Sequence, residues 1–117
     1  MAVLSRTFAL ASGPRVRLRL AVPADARHIA RLLDERGVHA TELDVRRLLA
    51  FSPSRRLVVC ALAPLDGRET LVGVAGIDLE RDADVDTLVV DERLTDGLGE
   101  LMVSELTERA ARSRHVA

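Results

Sequence analysis

The chain contains no lysine, no tryptophan and no tyrosine, only two phenylalanines (Phe8 and Phe51), and a single cysteine, Cys60. Each scarcity closes off a class of function. One cysteine allows no disulfide within the chain, the habit of proteins in reducing compartments, and a cytoplasmic location is expected. Two aromatic side chains cannot build a platform for stacking bases or sugars. Arginine supplies all seventeen basic residues against eighteen acids, giving a formal net charge of −1. That balance argues against a dedicated nucleic-acid binder, which carries a basic excess. No stretch approaches the ~20 apolar residues of a membrane span. The apolar residues 8–11 behind Arg6 are too few for a signal-peptide core. Neither a nucleic-acid nor a membrane partner is expected.

Other chemistry is missing too. His28, His39 and His115 stand in no metal-ligand spacing with one another or with Cys60, so no metal is expected. Ser5, Ser12, Ser52, Ser54, Ser104 and Ser113 lack a Gly-x-Ser-x-Gly setting. Cys60 lies inside the apolar run 57–63 and reads as a core residue rather than a nucleophile.

What is present suits one α/β-type domain. The 117 residues are 48% hydrophobic, and a chain of this size buries roughly two-thirds of its unfolded surface. Residues 1–14 form a weakly patterned N-terminal lead-in that ends at the turn signal Gly13-Pro14. The domain proper is read over 15–117. Arg15, Arg17 and Arg19 alternate with Val16, Leu18 and Leu20, the period of a half-buried strand with its arginines on a solvated face. Val22-Pro23-Ala24-Asp25 opens a helix carrying Ala26, Ile29, Ala30 and Leu33, and Gly37 ends it. Thr41 and Asp44 form a capping-box pair for a second helix, which Pro53 stops.

Three strands follow. Residues 57–63 are continuously apolar and should be covered on both faces. Pro64-Leu65-Asp66-Gly67 turns the chain, and 71–79 returns antiparallel, with Gly73 and Gly76 marking a thin place in the sheet. Residues 85–90 form the third strand. A last helix is expected over 97–114, its acids preceding its bases in agreement with the helix dipole.

The junction before that helix reads Leu88-Val89-Val90-Asp91-Glu92-Arg93-Leu94-Thr95-Asp96-Gly97-Leu98-Gly99. A strand, a polar loop and glycines at a helix start can aim free backbone donors at a phosphate. Taken with the order of elements, this resembles the GNAT N-acetyltransferase superfamily over about residues 15–117. Val16–Leu20 with Val22-Pro23-Ala24-Asp25-Ala26 looks like that family's first strand and helix start. Leu71-Val72-Gly73-Val74-Ala75-Gly76-Ile77 is similar to its third strand, and Ala83-Asp84-Val85-Asp86-Thr87-Leu88-Val89-Val90 to its fourth.

The resemblance implies a mixed, mainly antiparallel sheet flanked by helices, with acetyl-CoA as co-substrate and transfer of acetyl to an amine. It implies Val89 and Val90 for the pantetheine arm and Gly97, Leu98 and Gly99 for the pyrophosphate. Asp84 and Asp86 match the region that supplies the base. The turn departs from the family pattern: Leu94 stands where Arg or Gln is usual, and Asp96 adds an acid. A negative charge about 5 Å from a phosphate costs roughly 1–3 kcal/mol at an intermediate dielectric. Ala117 falls where the family's fifth strand would begin, and no tyrosine is present to serve as the family's usual acid. The alternative is a non-catalytic interaction or weak CoA-binding module. In either case a homodimer through the apolar edge 85–90 is expected, with another protein supplying the missing strand as the alternative.

Overall fold

A computed structural model describes residues 6–10, 15–49, 56–79, 85–94 and 97–115. Five strands, β1 (Arg6–Ala9), β2 (Arg15–Leu20), β3 (Arg56–Leu65), β4 (Arg68–Asp78) and β5 (Val85–Val90), form one open sheet in sequence order, each antiparallel to its neighbours. Helices α1 (Ala26–Glu35) and α2 (Glu42–Leu49) cover one face, and α3 (Leu98–His115) covers the other. This is the expected mixed α/β class. No helix of the described residues is long and apolar enough to cross a membrane.

Covering both faces produces two cores. Under α3, Val16, Leu18, Val59, Ala75 and Ile77 meet Leu98, Met102 and Leu106. Under α1 and α2, Val58, Cys60, Leu62 and Val74 meet Ile29, Leu32 and Val45. The continuous apolar run in β3 therefore faces helices on both sides, as its lack of alternation demands.

Local signals explain the element ends. Thr41 and Asp44 exchange side chain–backbone hydrogen bonds, the amide of Thr41 to Asp44 Oδ2 at 3.0 Å and the amide of Asp44 to Thr41 Oγ1 at 3.1 Å. Those bonds hold the Asp44 carboxyl below its ordinary range. At the end of α1 the amides of Gly37 and Val38 return to the carbonyls of Asp34 and Leu33, a Schellman closure. The β3–β4 hairpin is tighter than the sequence pattern predicts. Leu65 pairs with Arg68, leaving Asp66 (φ 53°) and Gly67 (φ 78°) as the whole turn. Two successive left-handed residues form the turn whose twist matches that of paired strands, so both strands run on to the loop.

Two readings are corrected. Part of the N-terminal lead-in is β1, paired with β2 from Arg6↔Leu18 to Ala9↔Arg15. It has too few alternating residues to signal a strand; an ion pair secures it, Arg6 Nη1 lying 3.2 Å from Glu105 Oε2 on α3. Glu105 is buried there and also receives Arg109 Nε at 2.9 Å. The arginine row of β2 is likewise not uniformly solvated. Arg17 pairs with Glu69 at 2.6 Å, and Arg19 is folded against Asp25 with its side chain 19% exposed.

The thin place in β4 has two uses. A Cβ at Gly73 would lie 2.6 Å from Met102 Sδ and 3.3 Å from Ala61 Cβ, so this glycine sets how closely α3 approaches the sheet. Gly73→Ala should therefore destabilise the fold by about 1–3 kcal/mol through overpacking, read as a lower urea midpoint at unchanged slope. A variant as stable as the parent would show that Met102 swings aside at no cost.

Candidate functional site

The site begins where β5 hands the chain to α3. β5 pairs with β4 from Val85↔Ile77 to Val90↔Gly73, and it ends the sheet. Asp91, 5% exposed, then turns the chain. Its amide donates to the Val72 carbonyl at 2.7 Å, and its carboxylate accepts from the Arg93 amide at 2.9 Å and from Arg93 Nε and Nη2 at 3.0 and 2.9 Å. These bonds from Arg93 hold the Asp91 carboxyl below its ordinary value. Leu94 is buried in the core and anchors the short helical turn Glu92–Leu94. Residues 95 and 96 lie outside the described set, Asp96 included.

Gly97 adopts φ +83°, a conformation strained for any side chain, and an added Cβ would meet nothing within 4 Å among the described residues. Among the described residues the first backbone bond of α3 runs from the Leu101 amide to the Gly97 carbonyl at 3.1 Å. The amides of Leu98, Gly99 and Glu100 precede it, so the helix itself offers them no acceptor. They sit at the positive end of an 18-residue helix. Leu98 is wholly buried and fixes that end to the sheet.

Beside this helix start lies an open groove of about 520 Å³ lined by Leu88, Val90, Gly97, Gly99, Glu100, Val103 and Ser104. The structure thus brings together Val90, Gly97 and Gly99 of the residues expected to hold a ligand. Leu98 can add only its backbone, because its side chain is core. Val89 points to the opposite face and packs on the α1 side. Leu88, Glu100, Val103 and Ser104 were missed. Leu88 shares a face with Val90 by strand alternation, and Glu100, Val103 and Ser104 follow helical spacing on the side of α3 turned from the core, so the signal existed once α3 was placed on this face.

Asp84 lies outside the described residues. Asp86 is gripped by Arg56 of β3, Nη1 to Oδ2 at 2.6 Å and Nη2 to Oδ1 at 2.5 Å. That guanidinium holds the Asp86 carboxyl below its ordinary range, which weakens it as a proton acceptor. Cys60 is buried with a thiol pushed up to about 12 by burial, so it stays protonated at neutral pH and is no nucleophile. Among the described residues no group of His, Cys, Asp or Glu could hold a metal ion.

Neither a protein-family model nor a curated protein sequence matches the chain. Solved structures do. The GNAT domain of S. lividans PAT superposes with a TM-score of 0.71 at 14% identity, over 93% of this chain and 73% of that one. The ribosomal-protein-alanine N-acetyltransferase from Brucella melitensis biovar Abortus 2308 gives 0.63 at 19% identity, over 85% and 74%. A GNAT family acetyltransferase of Staphylococcus aureus gives 0.62 at 14%, over 83% and 78%. At such identities the likeness establishes a GNAT-type fold.

Proposed function

We propose that this domain binds an acyl-CoA thioester, acetyl-CoA in the first instance, at the groove between β5 and the start of α3, and transfers its acetyl group to an amine. The observation that supports this reading is the start of α3 at Gly97, which borders an apolar groove and where, among the described residues, nothing lies within 4 Å of an added Cβ. The amides of Gly97, Leu98 and Gly99 would meet the pyrophosphate, and the backbone of Val89 and Val90 the pantetheine arm. Amine nitrogen attacks the thioester carbonyl, the C–N bond forms, the C–S bond breaks, and the thiol leaves with a proton. The chain's part in this is to hold and orient. Because Asp86 is committed to Arg56, we assign the base to Asp84, acting directly or through water. Glu100 beside the groove would place negative charge near the phosphates, and the sequence adds an acid, Asp96, directly before Gly97, so affinity should be modest.

The test is thermal. A ligand that binds only the folded state stabilises it by mass action, about 2.7 kcal/mol at a hundredfold excess over Kd. CoA or acetyl-CoA should raise the melting temperature, Gly97→Asp should abolish the rise, and Asp96→Arg should enlarge it. If chemistry accompanies binding, thiol release with an amine present should fall in Asp84→Asn. No rise at millimolar CoA in folded protein would overturn the reading.

A second reading is favoured by one observation: among the described residues β5 is the edge strand, with its Leu88 43% exposed. In it the domain is a non-catalytic interaction module that pairs with a second copy through β5, with or without weak CoA binding.

A further inference from the structure

Arg56 lies on β3 and its carboxylate partner on β5, so its side chain must cross β4. Two strand spacings amount to roughly 9–10 Å, within reach of an arginine meeting an aspartate only if nothing on the middle strand stands between them. The middle residue is Gly76. A Cβ there would fall 2.7 Å from Arg56 Nη2 and 3.4 Å from Cζ. The glycine is a doorway for the guanidinium.

What the guanidinium grips is a particular place on β5. Gly76 pairs with Thr87 but Ile77 pairs with Val85, so Asp86 is the extra residue of a register shift and has no partner on β4. Such a bulge bends its strand and increases its twist, and so decides where the following residues point. Arg56 holds Asp86 by two charge-assisted bonds and Thr87 Oγ1 by a third at 3.2 Å; Thr87 Oγ1 also lies 3.0 Å from Asp86 Oδ1. The Arg56 side chain is 14% exposed, so the grip is partly desolvated and geometrically exacting.

We propose that Arg56 is a positioning residue: acting through Asp86 across Gly76, it fixes the bulge of β5 and thereby aims the outward edge of Thr87–Val90 at the ligand arm. The inference rests on the CoA reading for the identity of the ligand. It gives Asp86 a different task from the base that sequence resemblance implies, since a carboxylate that anchors a bulge is not free to carry protons.

The experiment compares Arg56→Met, Arg56→Lys and Gly76→Ala with Arg17→Met, which cuts an ion pair on β2 remote from β5. Two readouts are taken well below each melting temperature: CoA affinity by calorimetry, and amide hydrogen exchange along β5. Arg56→Met and Gly76→Ala should each weaken CoA about tenfold. Arg56→Lys should recover part of that loss, because it keeps the charge but not the two-point grip, and Arg17→Met should bind like the parent. A purely structural role would lower melting temperatures and leave the affinity of folded protein unchanged, and that result overturns the proposal. If the parent binds no CoA, the functional reading fails separately and exchange decides. Faster exchange from Thr87 to Val90 in Arg56→Met, but not in Arg17→Met, upholds the clamp; equal exchange rejects it. Should Arg56→Met not fold, Gly76→Ala carries the same comparison with all charges in place.

Discussion

Asp25→Ala is expected to lower the melting temperature by roughly 10–20 °C, which follows from a loss of about 3–5 kcal/mol when one partner of a buried ion pair is removed. The Asp25 side chain is 8% exposed and receives Arg19 Nη1 and Nη2 at 2.7 and 2.8 Å. It also accepts the Val22 amide at 2.8 Å, and Cys60 Sγ lies 3.9 Å away. Truncation leaves a half-buried guanidinium and a backbone donor without their acceptor, at the point where β2 enters α1. Against a total stability of about 5–15 kcal/mol for a domain, that is a large fraction.

The same group predicts an acid limb. Burial pushes the Asp25 carboxyl up, but the hydrogen bonds from Arg19 and the Val22 amide outweigh it and hold the group below its ordinary value. A carboxyl whose folded pKa is depressed contributes stability above its unfolded pKa, about 3.9, and loses it as pH falls through the lower folded value. The parent should therefore lose stability below about pH 4, and Asp25→Ala should lose less there. Asp25→Asn keeps an acceptor for Val22 and should fall between the two. Denaturation profiles from pH 7 to 3 check this; a variant within about 3 °C of the parent at neutral pH would mean the pair contributes nothing.

The fold was legible where one physical signal acted alone. Thr41 and Asp44 formed their box because its donors and acceptors lie within one turn. The run 57–63 was central because no alternation means no wet face. Reading failed where a partner far along the chain decided the outcome. Nothing within residues 6–9 reveals that Glu105, some hundred residues later, will secure Arg6 in a strand. The alternation that placed Arg19 outside could not anticipate that Asp25 would fold back onto it.

The site shows the same division. Glycines after a strand marked the helix start correctly, since Gly97 does take the left-handed conformation and does open α3. Which side chains border the groove was half legible: strand alternation separates Leu88 and Val90 from Val89, but only placement of α3 tells which pair meets the groove. Gly76 was seen as a gap without an occupant. The occupant comes from β3, whose register against β4 only the folded sheet defines.

The assembly prediction turns on the contrast between the two edges of the sheet. β1 is four residues long, charged, and tied to α3 through Arg6, which is how edges are blunted. β5 is longer, and its only charged side chain, Asp86, is neutralised from within by Arg56. Thr87–Val90 is left uncharged, with Leu88 exposed. A two-fold axis through Leu88 would pair the strands antiparallel and set Asp86 opposite Val90 of the other copy, so no like charges face each other. Six residues of edge are too little by themselves, since stable interfaces bury about 1,200–2,000 Å². The outer face of α3 at Val103 and Ser104 must join, and it borders the same groove. We therefore expect light scattering at micromolar concentration to report twice the chain mass, and Leu88→Lys to return the protein to a folded monomer whose melting temperature no longer depends on concentration. Leu88 is the informative position, because Val89 packs into the α1-side core and a lysine there would damage the fold. A second copy that fills this groove would compete with a pantetheine arm for it. Saturating CoA should thus shift dimer toward monomer if both readings hold, and leave the mass unchanged if the domain pairs but binds no CoA. A parent protein that stays monomeric at all concentrations, with amides of Thr87–Val90 exchanging as an open edge, would overturn the pairing.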